Sequence, residues 1–178
     1  MTEKFGLINV RAQGVRNIHS KLKAGSEDFS FGEFSLVHGR SGWKLVGAIA
    51  QKNIYENFRS SPAKLNVAAN VLNLTNRLAG EEESKYSTSE TNLFNIVSNF
   101  IIYLEGVDEA KNISSIDLAE CLVLLRILSS LGYMRHDPEL SIPISTSEID
   151  EVNLESIAPK RSQMIKLINE SLQASNLT

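Results

Sequence analysis

The sequence predicts an α+β protein: a small β domain over residues 1–59, followed by a larger all-α bundle over 60–178. Two observations carry this. Before residue 60 the apolar residues recur with period two, as in half-buried strands, and after it they recur every three to four positions, as on one helix face. Ser61-Pro62 marks the change, an N-cap hydroxyl followed by proline in the first turn of a helix.

Each element follows from its own pattern. Ile8, Val10 and Ala12 alternate with Asn9, Arg11 and Gln13, which predicts a strand over 5–15. Phe34 and Leu36 alternate with Glu33 and Ser35, and Trp43 and Leu45 flank Lys44. His38-Gly39-Arg40-Ser41-Gly42 lies between these two runs, so 31–50 reads as a hairpin with a tight turn. Three strands cannot close a small barrel, and an open sheet of three leaves two edges to be covered. The β part therefore reads as incomplete. In the first helix, Leu65, Ala68, Ala69, Leu72 and Ala79 mark one face, widened by Val71, Leu74 and Leu78. Gly80 ends it, and Glu81-Glu82-Glu83 begins a polar loop. A second helix spans about 89–106, with Leu93, Phe94, Val97, Ile101 and Leu104 facing inward. Ser114-Ser115-Ile116-Asp117 reads as a capping box for a third helix, LAECLVLLRILSSL, which Gly132 terminates. That helix is apolar almost all round, the mark of a buried central helix. Residues 137–157 read as irregular, and a last helix starts near Pro159 with Met164, Ile165, Ile168 and Leu172 on one face.

Charge is unevenly placed. Residues 1–64 hold ten Lys/Arg against five Asp/Glu, a balance of +5, whereas 65–178 carry −8. Such asymmetry fits a front part that meets a polyanion. No apolar run approaches the roughly 20 residues of a membrane span, and the start of the chain has no secretory pattern, so a cytoplasmic setting is expected. Cys121 is the single cysteine and lies in the most apolar helix, where a cysteine is usually an inert packing residue; no disulfide or cysteine-based metal site is expected. His19, His38 and His136 lack ligand spacing, and no phosphate loop, nucleophile elbow or dinucleotide fingerprint occurs. The expectation is a protein that is not an enzyme and carries no cofactor or metal.

The run FGLINVRAQGVRNIHSKL, then FSFGEFSLVHGRSGWKLVGA, then Leu131-Gly132-Tyr133 resembles the bacterial RecO family of recombination mediators. Thr2-Glu3-Lys4-Phe5-Gly6 fits the family's Thr-x-x-x-Gly, and Gly14-Val15-Arg16 with Ser20-Lys21 fits the Gly-x-Arg and Ser-Lys elements that follow. The resemblance implies an OB-like nucleic-acid-binding domain at 1–59 and a RecO-like helical domain at 60–178. It implies a DNA-repair accessory protein that binds single- and double-stranded DNA and anneals complementary strands. It also implies contact with the C-terminal tail of single-strand binding protein and, with RecR, help in loading RecA, in a nucleoid-associated setting. Two departures stand out. Members carry two further OB strands ahead of the Thr-x-x-x-Gly, whereas this chain starts directly before it. Many also carry a four-cysteine zinc module after Leu-Gly-Tyr, and no cysteine follows Gly132 here, so no zinc is carried over.

An OB face holds a nucleic-acid strand with cations on phosphates and aromatic rings under bases. The cations expected to do this are Arg11, Arg16, Lys21, Lys23, Arg40 and Lys44. The bland alternative is a solvated basic loop. For base stacking the aromatic candidates are Phe31 and Trp43, although the alternation of Trp43 with Leu45 equally fits a core position. Arg126 is the odd charge on an apolar helix. It reads either as a cation at the mouth of an apolar groove that docks a partner's acidic tail, or as a snorkelling arginine or an internal salt bridge to Asp117, Glu120 or a glutamate elsewhere.

Overall fold

The computed structural model describes residues 1–13, 22–80, 88–108, 113–146 and 148–174. Its order is β1 (Val10–Ala12), β2 (Ser30–Gly39), β3 (Gly42–Asn53), α1 (Ile54–Phe58), α2 (Pro62–Gly80), α3 (Thr88–Gly106), α4 (Ile113–Ser130), α5 (Ser141–Ser145), α6 (Glu151–Ile157) and α7 (Arg161–Ala174). The molecule is thus α+β, a three-stranded sheet followed by helices. It divides into two compact units, one of residues 8–65 and one of 1–7 with 66–178.

In the first unit the strand order is β1-β3-β2. β2 and β3 form the expected hairpin, longer than the sequence suggests, with Arg40 and Ser41 at the turn and Gly42 at φ 92°, a left-handed conformation natural to glycine. The strand expected over 5–15 is confined among the described residues to 10–12, and it runs parallel to β3. Thr2 to Gly6 forms a closed turn instead: the Thr2 N–H donates to the Gly6 carbonyl at 2.6 Å, and the Phe5 N–H donates to Thr2 Oγ1 at 3.0 Å. The Thr2 hydroxyl closes one end of this turn, and Gly6 at the other takes φ 60°, a left-handed conformation natural to glycine. β3 is bulged twice against β2, with Val46 and Gln51 as the extra residues, since Ser35 pairs with Gly47 but Leu36 with Leu45, and Phe31 pairs with Lys52 but Gly32 with Ala50. Asn53 caps α1, its side chain accepting the Glu56 N–H at 3.2 Å, and Ile54 and Phe58 are buried there.

The second unit is organised on α4, which packs against α3, α5, α6 and α7. Ile116, Leu118, Ala119, Leu122, Val123, Leu125, Ile127 and Leu128 are all buried, as a helix apolar on every side requires. α4 begins at Ile113, so Ser114 lies within the helix rather than at its cap; an aspartate at the third position is a methylene shorter than the glutamate that usually closes the box. Its far end is a Schellman cap: the Tyr133 N–H reaches the Leu128 carbonyl at 2.9 Å, the Gly132 N–H reaches that of Ser129 at 3.1 Å, and Gly132 has φ 76°. Leu131-Gly132-Tyr133 is therefore helix-ending chemistry. The inward face of α2 is centred on Val67, Ala68, Val71, Thr75 and Leu78, with Leu72 and Leu74 only half-buried. Thr75 satisfies its hydroxyl by donating to the Val71 carbonyl at 2.7 Å. Segment 137–157 is not irregular throughout: it holds α5 and α6, and Asp150 caps α6 by accepting the Asn153 N–H at 2.7 Å. No helix of the described residues is long and apolar enough to cross a membrane.

Candidate nucleic-acid interface

Because paired residues on neighbouring strands share a face, the register sorts the sheet's side chains into two sets. One face carries Val10, Ala12, Phe34, Leu36, His38, Trp43, Leu45 and Ala48. A short turn at Ala24–Ser26 lies against the sheet on this side, and Gly25 is buried against Ala48. The other face carries Arg11, Lys44 and Val37 in one row, Ile49 and Glu33 in another, and Phe31 and Lys52 in a third. All seven of these residues are exposed.

Arg11 and Lys44 are direct register partners on neighbouring strands, so their backbones stand about 4.8 Å apart with both side chains toward solvent. Among the described residues no carboxylate pairs with either. β2 serves as a ruler along this face. From Val37, beside Lys44, to Phe31, beside Lys52, is six residues, about 20 Å. Glu33 is the single carboxylate of these rows, and Gln51 Nε2 approaches its Oε1 at 3.4 Å.

The structure thus brings Arg11 and Lys44 together. Arg40 lies at the exposed hairpin tip, beyond the last strand pair. Lys23 is exposed at the start of the Ala24–Ser26 turn. Arg16, Lys21 and His19 fall outside the described residues, as does the acidic run 81–83. The two aromatic candidates lie on opposite faces. Phe31 shares the cationic face, whereas Trp43 is half-buried on the other, with the His38 ring edge-on at 4.8 Å between centroids. Sequence reasoning missed Lys52. It lies just past the second bulge, where the apolar run Ala48-Ile49-Ala50 had already broken the alternation.

Arg126 is 2% exposed. Its Nε and Nη2 donate to the Pro143 carbonyl at 3.0 and 2.8 Å, and Nη2 also donates to Thr146 Oγ1 at 3.1 Å and the Glu148 carbonyl at 3.0 Å. Burial pushes its pKa down to about 10, partly offset by Asp150, so it remains a cation at neutral pH. Of the carboxylates considered for it, Glu120 instead accepts from Asn70 Nδ2 at 3.0 Å. Arg126 does line a cleft of about 540 Å³ with Ile96, Met134, His136 and Ile144, but any carboxylate arriving there competes with those internal acceptors. Burial raises the Cys121 thiol pKa, which keeps it protonated and unreactive. Among the described residues no three His, Cys, Asp or Glu side chains converge as a metal site.

Part of this chain is similar to a known DNA repair protein. It is 34% identical over 96 residues to the DNA repair protein RecO of Alkaliphilus metalliredigens, a stretch that covers 54% of this chain and 37% of that protein. The chain therefore spans little more than a third of the curated relative it matches. No protein-family model matches it, and no solved structure matches it.

Proposed function

We propose that the chain is a RecO-like, non-enzymatic accessory of DNA repair and recombination that holds DNA on the exposed face of its sheet without reading sequence. The observation that carries this is the Arg11–Lys44 pair, two like charges side by side on neighbouring strands and both turned to solvent. Like charges directly opposite destabilise a sheet. A polyanion laid across them reverses that penalty and releases counterions as it binds. Lys52 and Phe31 extend the site by about 20 Å, supplying one more cation and a ring on which a base can stack. Lys23, Arg40 and the loop cations Arg16 and Lys21 would add phosphate contacts around it, while Trp43 would serve the other face. On this reading the domain at 1–59 is the nucleic-acid module, and the helical domain at 60–178 carries the protein contacts. Those contacts would be with the tail of single-strand binding protein at the Arg126 cleft and with RecR, and through RecR with RecA, in the cytoplasm at the nucleoid.

A second reading is a protein-docking module. Val37 and Ile49, 53% and 66% exposed, lie among the cations and would suit an apolar partner. Titration of labelled single-stranded DNA at two salt concentrations separates the two. Micromolar binding that weakens steeply with salt is the expected result; a folded sample that binds no DNA at low salt leaves the docking reading.

A further inference from the structure

We infer that Glu33 is a specificity-determining residue of the cationic face: its carboxylate closes the β2 side of that face to phosphates, so that the face takes one unpaired strand in preference to a duplex. The inference rests on the DNA reading above and adds to it which form of DNA is held. The cations and the carboxylate of this face lie on different strands. Arg11 is on β1, and Lys44 and Lys52 are on β3, and neither strand contains an aspartate or a glutamate. They mark a lane along β3 about 20 Å long, with Ile49 exposed between its ends. Glu33 is the one carboxylate of β2 and the direct register partner of Ile49, so its backbone stands about 4.8 Å to the side of the lane. Gln51, the extra residue of the second bulge, donates from Nε2 to Glu33 Oε1 at 3.4 Å and holds the carboxylate toward β3. Among the described residues no cation pairs with Glu33, so its charge stands unneutralised.

A phosphate on the lane passes Glu33 within about one Debye length, roughly 8 Å at physiological salt, where repulsion is only partly screened. A single strand avoids most of that repulsion. Its backbone is free to follow β3, and its bases can turn toward Glu33, whose oxygens accept from the amino groups that adenine, cytosine and guanine all carry. A duplex cannot adapt in this way. It is stiff over about 150 base pairs, and its backbones wind once in about 34 Å. Over about 20 Å each backbone turns through more than half a circle, so it leaves the lane, and one or the other crosses β2. The duplex also brings twice the charge per unit length, one for about every 1.7 Å. Glu33 therefore works against the duplex more than against the single strand, while Arg11, Lys44 and Lys52 serve both forms.

Fluorescence anisotropy of the full chain with a labelled mixed-sequence strand, and with the duplex of that strand, tests this at one low salt concentration. The wild-type chain should hold the single strand about fivefold tighter than the duplex. Glu33→Gln keeps the shape of the side chain and its contact with Gln51, and it should tighten the duplex about fivefold and the single strand less than about twofold. Glu33→Lys should narrow the gap in the same direction, so the result does not hang on one variant folding. Glu155→Gln removes the same charge at an exposed position of the other unit, and it should leave both affinities unchanged. A gap that neither Glu33 variant narrows, a gap that Glu155→Gln narrows equally, or a wild-type chain with no preference overturns the role of Glu33 and leaves the DNA reading standing. A folded wild-type chain that binds neither form overturns both.

Discussion

Arg126 holds its charge 2% exposed because the 143–148 segment turns two carbonyls and a hydroxyl toward it. Its oddness was legible in the sequence, as one charge on an apolar helix. Its partners were not, since backbone carbonyls 17 and 22 positions away leave no sequence signature. Arg126→Ala should destabilise the protein by about 3 kcal/mol, since it removes four part-buried hydrogen bonds and leaves a cavity behind. Urea unfolding measures the loss, and hydrogen exchange should rise first across 143–148 if those bonds hold that segment. On the sheet, Arg11 and Lys44 were readable from alternation. Their pairing was not, because it depends on β1 lying parallel to β3. Lys44→Ala and Arg11→Ala should each reduce the slope of log affinity against log salt by about 0.7 for single-stranded DNA. Ser130→Ala, in the other unit, should leave it unchanged. Equal slopes for all three proteins would remove the phosphate role of that row.

At the level of elements, strong periodicity survived translation into structure and weak periodicity did not. α2, α3, α4 and the hairpin stand where the periodicity placed them, although α4 begins at Ile113, ahead of the cap read at Ser114. α5 and α6, five and seven residues long, are too short for a helical period to declare itself, and Pro143 inside α5 reads as a breaker. A parallel strand pair is equally silent, because its partners lie more than thirty positions apart, with the whole of β2 between them. The end of α4 was readable because its chemistry is local. Gly132 takes φ 76°, where a side chain is strained although nothing crowds the site. Gly132→Ala should therefore cost about 1 kcal/mol with an unchanged denaturant slope, a purely conformational loss. A stability within error of the wild type would mean that the cap relaxes at no cost.

For the molecule as a whole, net charge conceals the division that matters. The chain totals −3, yet its cations crowd the front 64 residues and its carboxylates the rest. DNA binding should therefore persist above the isoelectric point near 5.7, where simple attraction of an acidic protein to DNA would fail, and mobility shifts at pH 6.5 and 8 should agree within about twofold. A collapse between those two values would point to histidine charge instead. One small contact carries a further consequence. Gly25 lies so close to Ala48 that even a methyl group at position 25 would collide with it. That bare α-carbon is the hinge pin of a hatch: thicken it with Gly25→Val and the hatch lifts, the greasy underside of the ribbon comes into the open, and a hydrophobic dye such as ANS should light up before any helix melts.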